Sequence, residues 1–178
     1  MKKILLVALL LISVGASAQN KTQSYIEKFK DDAIRIMHET GVPASIILAI
    51  AMHESACGGS AIAKNLNNQF GMKGFSTHVF KADKKTLRTN YKKYDSPTDS
   101  FDDFARVMTE KAKFNGLADQ FTHYDYLGWA LGIQKAGYAS SRRWASDVLS
   151  LVKKYQLNLF DESPANQPMA NATTANVN

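Results

Sequence analysis

One acidic residue stands at an unusual position in this sequence. Glu54 follows the segment 44–52, which is apolar on nearly every side of a helix. A carboxyl group in such surroundings must be paired, exposed in a cleft or protonated, because burial disfavours its charged form. A carboxyl group that stays protonated near neutral pH is what a general acid requires. Glu54 is therefore a candidate proton donor, and the alternative is a solvated side chain at the helix end.

A metal or thiol site is a second possibility at the same helix end. His53 and Cys57 are four residues apart and share one helix face, and residues 53–57 resemble a zinc-protease pattern with cysteine replacing the second histidine. That replacement breaks the pattern, and the other histidines are scattered along the chain. A Cys57–His53 nucleophile pair has no acid specified to orient it. We therefore predict no metal and no cofactor.

Two further segments have residue types that suit sugar binding. Residues 67–74 combine amides, two glycines and Phe70, as expected of a loop that brings backbone and an aromatic ring close to a ligand. The alternative is an ordinary turn with Phe70 in the core. Tyr138, in the segment 137–140, has a hydroxyl that could hydrogen-bond to a substrate or simply close the core. Neither segment alone identifies a ligand.

The elements that must position these residues are mainly helical. Apolar residues at helical spacing predict a first helix that ends near Gly41. A buried helix follows over 44–56, since its apolar residues surround the helix axis. Ser60 can then cap a short helix that runs to Leu66.

The middle of the chain changes character. Residues 70–94 contain β-branched and aromatic residues and many lysines. This composition favours two short strands, around 78–80 and 89–91, with a turn near 83–85. The segment is therefore predicted to form a small β-hairpin.

Three more helices complete the predicted domain. Residues 96–99 read as a capping box with proline at the first helical position, which marks the start of a helix. The others cover 126–135 and 144–155, where apolar residues again recur at helical spacing. The predicted architecture is one mostly helical domain over residues 22–161.

Both ends of the chain fall outside that domain. Two lysines precede the apolar stretch 4–14, and small residues occupy 16–18. This pattern predicts a cleaved secretory signal peptide over 1–18, because a membrane span needs about 20 apolar residues. Residues 162–178 lack aromatic side chains and are predicted to be a disordered tail.

The composition narrows the function without naming it. A chain of 178 residues with 45% hydrophobic and 21% charged residues suits one globular domain, and it excludes a collagen, a coiled coil or a fully disordered chain. One cysteine excludes an intramolecular disulfide framework. Loss of Lys2 and Lys3 lowers the 22 basic residues to 20 against 16 acidic ones, a formal charge of +4. That excess favours an anionic partner surface but does not indicate nucleic acid.

Four motifs, taken together, resemble a known family. They are the segments 54–60, 67–74, 94–96 and 137–140. Their residues and their order resemble the bacterial β-N-acetylglucosaminidases of glycoside hydrolase family 73, which include flagellar and autolysin-type peptidoglycan hydrolases. The resemblance covers about residues 25–161, essentially the whole predicted domain.

The resemblance implies a fold, a reaction and a set of site residues. The fold would be lysozyme-like and mainly α-helical, with a small β-hairpin lobe. The reaction would be hydrolysis of the bond between N-acetylglucosamine and N-acetylmuramic acid in peptidoglycan, without a cofactor. Glu54 matches the general acid of the family, and Tyr138 matches its active-site tyrosine. The residues that would bind the sugar are Asn68, Phe70, Gly71 and Ser60.

Two departures from the family pattern bear on the mechanism. Many relatives have an aromatic residue where Cys57 stands, and many have a second acid, usually glutamate, in the β-lobe. Residues 75–94 contain no glutamate and a single acid, Asp83, which is the candidate second carboxylate. The alternative is that Asp83 is only a turn residue. In that case the substrate's own N-acetyl oxygen, aided by Tyr138, would replace it.

Three functions remain open at this point. The first is the glucosaminidase, and the second is a lytic transglycosylase, which uses the same type of fold and one catalytic glutamate but leaves an anhydro-muramic end. The third is a glycan-binding module without activity. In each case the expected partner is the peptidoglycan glycan strand, with no nucleic acid and no membrane after signal cleavage. The chain is expected to be a periplasmic or secreted monomer.

Overall fold

The computed structural model describes the backbone of residues 2–161 and the side chains of residues 20–161. The predicted tail, 162–178, lies outside the described residues, as do the side chains of the predicted signal peptide. Both assignments therefore stay predictions. Within the described part of the chain, no helix combines the length and the hydropathy of a membrane span.

Most of the described chain is α-helical, in six helices followed by one 3₁₀ turn. The helices are α1 (Lys2–Thr40), α2 (Ala44–Ser55), α3 (Ala61–Leu66), α4 (Pro97–Glu110), α5 (Tyr126–Lys135) and α6 (Trp144–Tyr155), and the turn is Leu157–Phe160. The predicted helices are confirmed, and Ser60 caps α3 as predicted, with its Oγ accepting the Ala63 N–H at 3.1 Å. The start of α4 is also confirmed, because Ser96 and Asp99 form the reciprocal hydrogen bonds of a capping box.

The helix α2 is the centre of the core, as its apolar sequence predicts. Every residue from Ala44 to Met52 is buried, and so is Ser55. It packs against α1, α5, α6 and the 3₁₀ turn. The burial ends at the C-terminus of α2, where His53 is exposed and Glu54 is half-buried.

A distant carboxylate closes the N-terminus of α2. Pro43 occupies the N-cap position and has no side chain that could accept a hydrogen bond there. Instead, the backbone N–H and the hydroxyl of Ser45 donate to the buried carboxylate of Asp161, at 2.8 and 2.5 Å. The negative charge also complements the positive end of the helix dipole. These hydrogen bonds tie the residue that follows the 3₁₀ turn to the start of the central helix.

The predicted hairpin is confirmed, with longer strands than expected. Strand β1 (Lys73–Ala82) pairs antiparallel with β2 (Lys85–Tyr91). The pairing runs from Ala82 opposite Lys85 to Lys73 opposite Tyr91, with an irregularity between residues 73 and 78. Asp83 occupies the turn with a positive φ of 53°, a backbone conformation that aspartate tolerates better than most residues. The strands exceed the prediction because backbone pairing continues through exposed lysines and threonines that show no apolar alternation.

Candidate active site

A cleft of about 720 Å³ lies between the base of the hairpin and the helical body. Its walls come from the end of α2, the loop that precedes β1, the base of both strands, the end of α4 and the segment after α5. Among the described residues that line it, Glu54 is the only acid. Apart from Ser140, the remaining lining is aromatic, aliphatic or cationic, so any acid–base chemistry by a carboxyl group in this cleft falls to Glu54.

The carboxyl group of Glu54 has one oxygen fixed and one directed to the cleft. The indole N–H of Trp144 donates to Oε1 at 2.8 Å. Oε2 faces the loop backbone, because a methyl group built on Gly71 would lie 3.6 Å from it. Among the described residues, Glu54 forms no ion pair. The group is therefore oriented by a neutral donor and keeps one oxygen for a ligand.

The sequence analysis did not identify Trp144, which is part of the apolar periodicity of the predicted helix 144–155. Its side chain is buried at the first turn of α6. The indole nitrogen nevertheless reaches Glu54 across 90 positions of sequence. No spacing rule links residues so far apart, and an apolar helical face does not reveal where a single N–H group points.

Tyr138 lies beside this pair with its hydroxyl hydrogen already committed. The hydroxyl donates to the backbone oxygen of Phe70 at 3.0 Å, and the ring lies 5.2 Å from that of Trp144. Burial, together with the nearby Glu54 carboxylate, holds the pKa of the Tyr138 hydroxyl well above its usual value. Tyr138 is thus a neutral phenol whose oxygen can accept a hydrogen bond from a ligand.

Two residues of the loop 67–72 that the sequence suggested for sugar binding have buried side chains. The amide of Asn68 is buried, where it donates to the carbonyls of Met72 and Lys92 at 2.9 Å and accepts the Met72 N–H at 3.0 Å. The ring of Phe70 is buried and stacks on Phe104 with centroids 4.4 Å apart. Asn68 therefore holds the loop in shape. The Phe70 ring packs in the core, although Phe70 is also one of the residues that line the cleft.

The structure does not bring Ser60 or Asp83 to this cleft. Ser60 caps α3, and neither residue is part of the lining. Asp83 is the turn residue at the outer end of the hairpin, whereas the cleft is lined by the hairpin base around Lys73 and Tyr91. Strand β1 has ten residues of about 3.3 Å each, so about 30 Å of strand separates the two ends.

Cys57 also lies away from the cleft. Its backbone is left-handed, with a φ of 52°, and its thiol contacts the hydroxyl of Thr22 at 3.8 Å. Burial raises the pKa of the Cys57 thiol. A half-buried thiol of this kind is a weak nucleophile, because the reactive species is the thiolate.

A polar network ties the base of the hairpin to α4. The Asp103 carboxylate accepts hydrogen bonds from Lys92 at 2.7 Å, from Tyr94 at 2.6 Å and from Arg106. Burial alone raises the pKa of Asp103, but these three donors outweigh it and hold that pKa below its usual range. The network sets the position of the hairpin base relative to the helical body, and therefore the width of the cleft.

A methyl group at Gly71 is expected to obstruct the cleft. Gly71 has a φ of +65°, and an added Cβ would contact Glu54 Oε2 at 3.6 Å and the Tyr91 ring at 3.8 Å. We expect Gly71→Ala to cost about 1 kcal/mol in stability and to lower kcat/KM at least about tenfold, since the methyl group occupies the approach to the free oxygen. Steady-state kinetics and urea unfolding measure the two effects.

Gly41→Ala is the matched control. Gly41 has a φ of +77° and lies outside the cleft lining, where an added Cβ would only touch Ala118 at 3.7 Å. It should show a similar loss of stability with unchanged turnover. Equal kinetic losses in both variants would mean that backbone strain, and not the methyl group beside Glu54, is responsible.

The fold and the site together define a class of protein. A helical body around one buried helix, with a small β-lobe beside it, is the architecture of lysozyme-like glycoside hydrolase domains, and Glu54 lies in the cleft between the two parts. Residues 30–157 match the family described as "Glucosaminidase: Mannosyl-glycoprotein endo-beta-N-acetylglucosaminidase". The chain belongs to this family, glycoside hydrolase family 73, so the resemblance noted in the sequence is confirmed.

Curated relatives and solved structures agree with this membership. The chain is 29% identical over 162 residues to the exo-glucosaminidase LytG of Bacillus subtilis, covering 85% of this chain and 57% of LytG. It is 25% identical over 176 residues to the peptidoglycan hydrolase FlgJ of Vibrio cholerae, covering 86% of this chain and 49% of FlgJ. The chain thus spans about half the length of these relatives.

Two solved structures illustrate the shared fold. An N-acetylmuramoyl-L-alanine amidase from Staphylococcus aureus superposes with a TM-score of 0.67 at 27% identity, over 80% of this chain and 44% of that one. The glycoside hydrolase domain of Salmonella typhimurium FlgJ superposes with a TM-score of 0.60 at 20% identity, over 76% of this chain and 88% of that domain. The predicted lysozyme-like fold is confirmed.

Proposed function

We propose that this protein hydrolyses peptidoglycan, cleaving the β-1,4 bond between N-acetylglucosamine and N-acetylmuramic acid with Glu54 as general acid. The observation that carries the proposal is the Glu54 carboxyl group, held by Trp144 at Oε1 and directed to the cleft at Oε2. The names of the relatives LytG and FlgJ support the substrate class. We propose export through residues 1–18 as well, because this substrate lies outside the cytoplasm.

In the first step, the proton of Glu54 moves to the glycosidic oxygen. The bond between that oxygen and the anomeric carbon of N-acetylglucosamine breaks, and positive charge develops on the sugar ring. The leaving strand departs as an alcohol, and Glu54 is left as a carboxylate. The same carboxylate can then remove a proton from the water that completes hydrolysis.

The charge on the sugar ring needs a partner on its other side. The described lining offers no second carboxylate, and Asp83 is at the far end of the hairpin. We therefore favour attack by the substrate's own N-acetyl oxygen on the anomeric carbon, which forms a cyclic intermediate that water opens. The Tyr138 oxygen, whose hydrogen is donated to Phe70, is available to accept the acetamido N–H and align that group.

The single carboxyl group also fits a lytic transglycosylase. In that reaction a hydroxyl group of the muramic acid replaces water, and the product carries an anhydro ring. One acid suffices for both reactions, so the described residues favour neither on this ground.

Product analysis tests the proposal. We expect digestion of purified peptidoglycan, followed by mass spectrometry, to yield fragments with reducing N-acetylglucosamine ends. Anhydro-muramic ends would assign the transglycosylase reaction instead. The absence of any new ends, with retained binding to the glycan, would identify a binding module without activity.

A further inference from the structure

The cleft concentrates positive charge. The described residues of its lining include one acidic side chain, Glu54, and five cationic side chains. They are Lys73, Lys92, Arg106, Lys111 and Lys113. The predicted mature chain as a whole carries a formal charge of only +4. The excess of cations therefore gathers where a substrate would lie, and a cleft lined by one sign of charge attracts ligands of the other.

Two of the five cations are already neutralised by the fold. Lys92 and Arg106 share the Asp103 carboxylate in the network at the hairpin base. Within the described residues, the other three have no ion pair with any acid. Lys73 lies 3.4 Å from the centroid of the Tyr91 ring, and Lys113 donates to the Gly137 carbonyl at 3.0 Å.

The three unpaired lysines come from two different walls. Lys73 begins β1, where charged residues commonly protect a strand edge from pairing with another chain. That explanation does not extend to Lys111 and Lys113, which follow the end of α4. Lys111 also complements the negative end of that helix, but Lys113 lies beyond it. Like charges gathered without acids repel each other, so their placement around one cleft is better explained by a ligand than by folding.

We propose that Lys111 and Lys113, together with Lys73, bind carboxylates of the peptide stems carried by muramic acid. The sugar backbone of a glycan strand with stems is uncharged. The stems recur at fixed intervals along the strand, and each stem carries several carboxylates. The cleft then selects glycan strands that retain their stems over N-acetylglucosamine oligomers. This inference rests on the proposed function, because it specifies which form of the proposed substrate the same cleft takes.

Binding measurements separate this inference from the proposed reaction. The dissociation constant is measured in the Glu54→Gln background, so that substrate is not consumed, with and without the double change Lys111→Gln and Lys113→Gln. The probes are soluble uncrosslinked strands with stems, the same strands after enzymatic removal of the stems, and an N-acetylglucosamine oligomer. All are free of phosphate-bearing wall polymers.

We expect the double change to weaken binding of stem-bearing strands about fivefold at low salt, and less at high salt. Binding of the other two probes should stay within about twofold. The control, Lys153→Gln with Lys154→Gln, removes the same charge from the last turn of α6, about 15 Å along the helix from Trp144. It should leave the binding of every probe unchanged.

Three results would overturn the inference. An equal loss on stem-free strands would assign the lysines to the muramic carboxylate that stem removal exposes. A loss on the uncharged oligomer would make them general sugar contacts. An equal loss of binding in the control pair would mean that the lysines act only through the net charge of the protein. Cleavage by the unmodified protein is scored separately, so a chain that binds stems through these lysines without cutting would contradict only the proposed hydrolysis.

Discussion

Replacing Glu54 by glutamine is expected to lower kcat on purified peptidoglycan about 10³-fold, because the proposed reaction begins with a proton that an amide cannot supply. The glutamine oxygen can still accept the Trp144 N–H, and the two side chains have nearly the same shape. We therefore expect unchanged thermal unfolding and retained binding of the glycan. Release of reducing ends over time measures turnover, and a melting curve checks the fold.

Asp83→Asn provides the chemical control for that change. It makes the same conversion of carboxyl to amide at the other acid that the sequence singled out, but at the outer turn of the hairpin. We expect its turnover to stay within about twofold of the unmodified protein. A loss comparable to that of Glu54→Gln would mean that the hairpin folds over bound substrate and brings Asp83 to the reaction. Full activity in Glu54→Gln would end the assignment of the acid.

Trp144→Phe is expected to lower kcat about 30-fold with little change in KM. A hydrogen bond to a charged or reacting group is worth about 1.5–3 kcal/mol, and its loss frees the Glu54 carboxyl group to turn away from the productive position. Phenylalanine keeps most of the aromatic packing against Tyr138. The free energy of unfolding should fall by about 1–2 kcal/mol from the smaller ring. Separate kcat and KM values distinguish orientation of the acid from substrate binding.

Trp129→Phe is the matched control for packing. Trp129 is as buried as Trp144, and its indole N–H donates to the Thr122 carbonyl at 3.2 Å, away from Glu54. The same substitution there should cost similar stability while kcat stays unchanged. If both variants lost kcat in proportion to their stability, Trp144 would be a packing residue only, and the orientation of Glu54 would depend on other contacts.

The sequence predictions that were confirmed concern interactions between residues that are close together in the chain. The buried helix α2, the capping box at Ser96 and the hairpin turn at Asp83 were all predicted. Each depends on residues within a few positions of one another, where apolar periodicity and local hydrogen bonds specify the backbone. Family membership was predicted for a related reason, because each of the four motifs is a short local pattern that can be read directly from the sequence.

Tertiary packing determined the roles of several predicted site residues. Asn68 and Phe70 were expected to face a sugar, yet their side chains are buried and hold the loop and the core together. Ser60 caps a helix outside the lining of the cleft. Residue type and spacing predict that a loop forms, but which of its side chains turn inward depends on the elements that pack behind it.

The sequence by itself determined the helices, the caps at Ser60 and Ser96, the hairpin and the acid at the end of a buried helix. Only the tertiary structure decided which partners these elements meet: the Trp144 N–H at Glu54, the Asp161 carboxylate at the start of α2, and the lysines from two walls around one cleft. The physical reason is that hydrogen bonds and charge interactions depend on distances of a few ångströms. For residues 90 or 116 positions apart, packing of the whole chain sets those distances.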